Sequence, residues 1–162
     1  MLPFCCYILV SADGGASYCG STTCFPRRLR QHNGGRRAGG ARYTHRRRCG
    51  GDWRPLWVVH GFANRSQALS FEWRVKHLRR GGRRRGGGGG LQARRAAQLR
   101  AALRDPGWWE KYPPCPAEMT MTIHAAAAVV AWPADDGGSL LPFTLTVVRD
   151  DESPPAAAEE RT

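Results

Sequence analysis

Residues Tyr18–His32 read YCGSTTCFPRRLRQH, and the fold turns on how this stretch is parsed. Tyr18 to Gly20 closes a short strand, and Gly20 permits close approach of another backbone or side chain. Pro26 suits the first turn of a helix, and Asn33-Gly34 suits its end. Within that helix Phe25 and Leu29 lie four apart and can anchor it to a sheet. Arg28 and His32 are also four apart and share a face. The exposed side is expected to carry Arg27, Arg28, Arg30, Gln31 and His32.

Working back toward the N-terminus, Phe4 to Ser11 is rich in aromatic and β-branched residues and predicts a buried strand. Asp13-Gly14-Gly15 predicts the tight turn joining it to the strand of Ala16–Gly20. The apolar run of residues 2–10 is too short to span a bilayer and lacks a basic flank, so no signal peptide is expected.

Working forward, residues 34–52 (GGRRAGGARYTHRRRCGGD) show no apolar periodicity and are expected to form a mobile basic loop. Such a loop could grip a phosphate backbone through Arg36, Arg37, Arg42, Arg46, Arg47 and Arg48, with Tyr43 stacking a base. A solvated linker fits the same residues. Trp53–Phe62 (WRPLWVVHGF) predicts a central strand buried on both faces. Asn64 or Ser66 can cap the next helix, which runs to about Leu78. On it Ala68, Phe71, Val75 and Leu78 form one stripe, which Leu69 and Trp73 widen. Glu72 falls inside this apolar arc. A buried carboxylate requires a cation or strong donors beside it, and a salt bridge to an arginine would meet that need as well as a bound ion.

Residues 81–90 are expected to be a Gly/Arg-rich linker. Leu91–Arg104 predicts a helix with Ala96, Leu99 and Leu103 inward, stopped by Asp105-Pro106-Gly107. Trp108, Trp109 and Tyr112 are expected to pack it back. Met119–Trp132, ambiguous between strand and helix, and Leu140–Arg149 could form a hairpin around Asp135–Gly138. Residues 150–162 predict a disordered acidic tail.

Among the 162 residues there is a formal net charge of +12. Such an excess points to a polyanionic partner, most simply nucleic acid. Part of it reflects composition, because only Lys76 and Lys111 are lysines and the rest are arginines. The six cysteines include no CxxC pair, so neither a zinc finger nor a disulfide framework is evident. Reduced thiols in an intracellular protein are expected.

The ordered set of motifs resembles the GIY-YIG nuclease family. Cys5-Cys6-Tyr7 and Tyr18-Cys19-Gly20 stand where its naming tripeptides lie. Pro26-Arg27-Arg28, Arg30 to Gly35, Gly39-Gly40-Ala41 with Thr44, Val58 to Phe62, Ala68-Leu69 and Phe71-Glu72-Trp73 continue the match. These blocks most resemble the branch that cuts branched DNA, including Holliday junctions and flaps, with a scaffold protein. Similarity covers residues 4–78 and returns weakly at Leu103–Trp108 and Leu141–Arg149. The resemblance implies an α+β domain over residues 1–80 with a small three-stranded antiparallel sheet flanked by helices, followed by the helix-plus-hairpin extension of residues 91–149. It implies DNA endonuclease activity at branched or flapped substrates in repair or recombination, with the nucleus as location in a eukaryote. A single Mg2+ or Mn2+ on Glu72 is implied, with Arg28 on the scissile phosphate and Tyr7, Tyr18 and His32 handling the attacking water. A nearby cation would have to lower a tyrosine pKa from ~10 for it to act as base.

Two departures bear on this. The first glycine of GIY is Cys5. Only Cys115 and His124 lie where the branch's zinc domain would begin, so no structural zinc is expected and the scaffold's docking domain is expected to be absent. A non-catalytic nucleic-acid-binding module and a restriction- or homing-type enzyme are the alternative readings.

Overall fold

The computed structural model describes residues 4–34, 36–47, 52–78, 90–112, 120–125 and 144–149. The expected linker at 81–89, the Asp135–Gly138 turn, residues 126–132, Cys115, Arg48 and the tail of 150–162 lie outside these residues.

Strand β1 (Phe4–Val10) pairs antiparallel on one side with β2 (Ser17–Thr22) and on the other with β3 (Arg54–Phe62). Its composition follows from that central place, since consecutive residues serve two cores. Cys6, Ile8 and Val10 face one cluster, while Cys5, Tyr7 and Leu9 face another. A strand buried on both faces must be apolar throughout, which is why FCCYILV does not alternate.

The first core is covered by α3 (Arg65–His77) and α4 (Leu91–Leu103), which bury Ala68, Phe71 and Val75 together with Ala96, Leu99, Ala102 and Leu103. Helix α3 starts as its sequence directs. Asn64 Oδ1 accepts from the Gln67 amide at 2.9 Å, and Gln67 Oε1 accepts from the Ala63 amide at 2.6 Å, a reciprocal cap at the helix entry. Leu69 and Trp73 do not widen the buried arc. They are 44% and 58% exposed, outside the buried set of Gln67, Ala68, Phe71 and Val75.

Register decides one further contact. The pairing Cys5↔His60 is followed by Phe4↔Phe62, so Gly61 is an extra residue in β3, and its φ of +105° is one that glycine adopts without strain. The bulge turns Phe62 onto the α3 face, where its ring lies 5.1 Å from Phe71 and 6.2 Å from Trp108. Trp108 belongs to α5 (Pro106–Lys111), capped by Asp105 with Pro106 at its start. Asp105 also accepts from Arg74 Nε at 2.6 Å. The aromatic run after α4 thus closes the first core, as its composition predicts.

The second core lies against α1 (Phe25–Gly34), through Phe25 and Leu29. The segment expected to be a structureless loop is partly helical, with a 3-10 turn at Arg36–Ala38 and α2 at Arg42–Arg46. It is fixed by groups that carry no hydrophobic period. Asn33 Oδ1 accepts from the Trp53 amide at 2.8 Å and its Nδ2 donates to the Trp53 carbonyl at 3.2 Å. Buried Trp53 Nε1 donates to Thr44 O at 3.0 Å.

The expected C-terminal hairpin is not formed. Strand β4 (Thr120–Ala125) adds antiparallel to β3, and β5 (Thr144–Arg149) pairs parallel to β4. The sheet has five strands in the order β2-β1-β3-β4-β5. Alternation in LPFTLTVVR marks a strand but not its direction. A parallel pair needs a connection of about a dozen residues or more, and 18 residues separate β4 from β5 in the sequence.

Candidate active site

Tyr7 stands in the middle of β1, with its side chain on the second-core face and only 1% exposed. Its hydroxyl meets two residues of α1, accepting from Arg28 Nε at 3.2 Å and lying 2.9 Å from His32 Nε2. The expected placement of His32 on an exposed face is incorrect, since it is fully buried. Phe25, Leu29 and His32 follow the i, i+4, i+7 spacing of one inward stripe, and that signal was present in the sequence.

The proton positions follow from the partners. Thr44 Oγ1 donates to the Ala41 carbonyl at 2.9 Å, so it can only accept from His32 Nδ1 at 3.0 Å. The Nδ1–H tautomer leaves Nε2 as a lone pair aimed at the Tyr7 hydroxyl, which donates to it. A directed chain results: Arg28 to Tyr7, Tyr7 to His32, His32 to Thr44, Thr44 to Ala41. Thr44 is the member that the residue pattern alone did not identify as structural.

Burial, then the Arg28 charge, lowers the His32 pKa from 6.5 to about 4. The imidazole is therefore neutral at physiological pH and able to accept a proton. The Tyr7 phenol moves the other way. Burial raises it well above its ordinary value, and the Arg28 hydrogen bond offsets this only in part.

The shift of His32 has a consequence for stability. Its folded pKa lies below the unfolded value of ~6.5, so between the two the unfolded chain binds more protons. Stability is unaffected by this group above pH ~6.5 and falls by about 3 kcal/mol as pH drops through the folded pKa. Urea midpoints of wild type and His32→Gln between pH 7 and 4 are expected to converge as pH falls, because the variant lacks this loss. Parallel curves would show that burial does not hold His32 neutral.

Gly20 seats the phenols. A Cβ there would lie 2.7 Å from Tyr7 Oη and 2.9 Å from Tyr18 Cε1, so only glycine lets β2 approach both rings. Tyr18, half-buried on β2, has its ring 4.9 Å from His32 and 6.2 Å from Tyr7. Tyr43 on α2 is 44% exposed and stacks on Tyr18 at 6.3 Å and 30°. It is therefore held on a helix beside the phenols, not carried on a mobile loop.

Arg28 is pinned by three acceptors: Tyr7, Gln31 Oε1 at 3.0 Å and Gly39 O at 3.0 Å. Gly39 has φ +86°, the conformation in which glycine presents that carbonyl without strain. Nε and Nη1 make these bonds, and the guanidinium also interacts with the Tyr18 hydroxyl.

Glu72 on α3 is 16% exposed. Its carboxylate accepts from Ser21 Oγ at 2.7 Å and from Lys76 Nζ one turn along the helix. The cation beside it is a lysine and not an arginine. The Glu72 charge contributes to the raised Tyr7 pKa. Ser21 and Lys76 are further site neighbours that sequence reasoning passed over, although Lys76 stands at i+4 from Glu72.

Of the basic residues expected to meet DNA, Arg27, Arg30, Arg37, Arg42, Arg46 and Arg47 are exposed around this group. Arg36 lies on the 3-10 turn, with its side chain outside the described residues. Among the described residues no three His, Cys, Asp or Glu side chains are grouped to hold a metal ion. The described cysteines, Cys5, Cys6, Cys19 and Cys24, are free thiols. No helix among the described residues is long and apolar enough to cross a membrane.

Comparison with known proteins finds several similar chains. The structure-specific endonuclease subunit slx1 of Schizosaccharomyces pombe is 44% identical over 78 residues, which is 46% of this chain and 27% of that protein. The human protein of the same name is 45% identical over 71 residues, covering 44% and 25%. That of Ajellomyces capsulatus is 48% identical over 75 residues, covering 46% and 17%. The chain thus spans about a quarter or less of the length of these relatives. The GIY-YIG catalytic domain matches residues 3–85, about half of the chain and all of the elements that carry Tyr7, Tyr18, Arg28, His32 and Glu72, and the chain belongs to that family.

Proposed function

We propose that the chain hydrolyses DNA phosphodiester bonds as a divalent-metal-dependent endonuclease, with branched or flapped duplexes as substrates. The observation that carries this reading is the directed chain from Arg28 through Tyr7 to a neutral His32, with the Glu72 carboxylate within electrostatic reach.

The residues fit a hard divalent ion. Magnesium is held through one or two carboxylates, completed by water and substrate phosphate, and Glu72 offers one carboxylate, with Ser21 steadying Oε2 and Lys76 on Oε1, which would move aside for the ion. Mg2+ or Mn2+ would supply charge neutralisation at the phosphate as negative charge develops. Arg28, fixed by its acceptors, would present its guanidinium to a phosphate oxygen. Tyr7 would take a proton from the attacking water while passing its own to His32 Nε2. The phenol then remains neutral overall, in keeping with its raised pKa, and the imidazole acts as the final acceptor. Tyr18 would orient the water from the β2 side. Arg27, Arg30, Arg36, Arg37, Arg42, Arg46, Arg47 and Arg48 would hold the backbone on either side.

The relatives' names call each a subunit and an endonuclease that is structure-specific. A scaffold partner, a role in repair or recombination and a nuclear location are therefore included in the proposal.

A cleavage panel tests it. With magnesium or manganese the purified chain is expected to nick a flap and a four-way junction in preference to linear duplex. Arg28→Ala should slow cutting by about 10²–10³-fold, the cost of removing one preorganised donor. Binding without cleavage under either ion would favour a silent module. Preferred cutting of one sequence in linear duplex would favour a restriction- or homing-type enzyme.

A further inference from the structure

Trp73 is the most exposed of the large apolar side chains described, at 58%, and Leu69 one turn earlier is 44% exposed. The indole is nevertheless ordered. His77 stacks on it with centroids 4.6 Å apart and planes at 19°. His77 Nδ1 lies 2.7 Å from the Trp73 carbonyl. A carbonyl only accepts, so Nδ1 carries the proton and the imidazole plane is fixed. One indole face is thus covered by imidazole, and the residue is still 58% exposed. Leu69, Trp73 and His77 form one stripe of α3, and Glu72 and Lys76 form the neighbouring stripe.

We propose that Trp73, steadied by His77, is a stacking platform for an unpaired nucleobase of the DNA bound at Glu72. This rests on the nuclease reading and supplies it with a means of sensing branches. Charge complementarity selects the occupant, because the chain carries a net +12 and α3 holds Arg65, Arg74 and Lys76, the last two paired to Asp105 and Glu72. A polyanion that also offers flat apolar rings is a nucleic acid. Bases within duplex DNA already stack on one another, so a solvent-facing indole gains a partner only where a base is unpaired. The platform therefore discriminates a flap or junction from continuous duplex.

The test is equilibrium binding in EDTA, so that no strand is cut. The probes are a flapped duplex, the same duplex with abasic flap nucleotides, and a linear duplex. Stacking of one base is worth a factor of roughly 5 to 150, and Trp73→Ala is expected to weaken binding of the natural flap by that much. Trp73→Phe should retain most of the affinity. The abasic flap should cost wild type the same factor and cost Trp73→Ala nothing more, while linear duplex binding is unchanged by either variant. The proposal is overturned if Trp73→Ala binds the natural flap as wild type does. It is equally overturned if that variant loses the same factor on all three probes, or if wild type binds none of them. Base-dependent loss at Trp73 in a chain that cuts no DNA would sink the nuclease reading alone. Cleavage indifferent to Trp73 and to abasic sites would sink the platform alone.

Discussion

Glu72→Gln is expected to lower DNA cleavage by about 10³-fold or more while leaving the fold intact. The carboxylate is the only acidic side chain placed beside the Tyr7 group among the described residues, so its charge is what the site offers a cation. In its proposed role as metal ligand, loss of Glu72 forfeits several kcal/mol of transition-state stabilisation, and each 1.36 kcal/mol is about tenfold in rate. The structural cost is small. An amide oxygen still accepts from Ser21 Oγ, and the lost partner is a lysine that is 37% exposed. Ion pairs of that exposure contribute about 0–1 kcal/mol. The split between activity and melting temperature is the measurement. A variant that cuts like wild type would remove Glu72 from the chemistry. One that unfolds would make its role structural.

Trp108→Ala is expected to destabilise the protein by about 3–5 kcal/mol, the usual cost of emptying a buried tryptophan site. Its ring is fully buried, 5.2 Å from Phe71 and 6.2 Å from Phe62. It therefore joins α5 to the face of the sheet that also supports α3. Because α3 carries Glu72, the loss should appear as one cooperative shift of the whole urea transition, followed equally by helix signal and by cleavage. A lower-stability transition confined to the C-terminal helices, with cleavage retained, would show instead that they form an appendage the catalytic elements do not need.

Much of this molecule was legible from local pattern. β1, β3 and α3 read directly, because two-faced burial writes an apolar run and one-faced burial writes a stripe. Glu72 was conspicuous for standing inside such a stripe, and the structure places it against Ser21 and Lys76. The residues that fix the Gly/Arg-rich segment were not legible. Asn33, Thr44 and Trp53 act through single hydrogen bonds to backbone or side chain, and such bonds have no period. The direction of β5 was missed for a related reason. Alternation records which face is buried, not which neighbour is chosen or which way it runs.

By itself the sequence determined the small sheet with its helices, the positions of Tyr7, Tyr18, Arg28, His32 and Glu72, and the family they mark. The sheet, the helices and the place of Glu72 depend on spacing along one strand or helix, and the other site residues and the family on a resemblance carried by an ordered set of motifs. Only the tertiary structure decided that His32 is buried and neutral, that Tyr7 is held protonated by its surroundings, and that β4 and β5 continue the sheet. Those outcomes depend on dielectric and on partners brought from distant segments, such as Thr44 over His32 and Gly20 against Tyr7. Such quantities exist only once the chain has closed on itself.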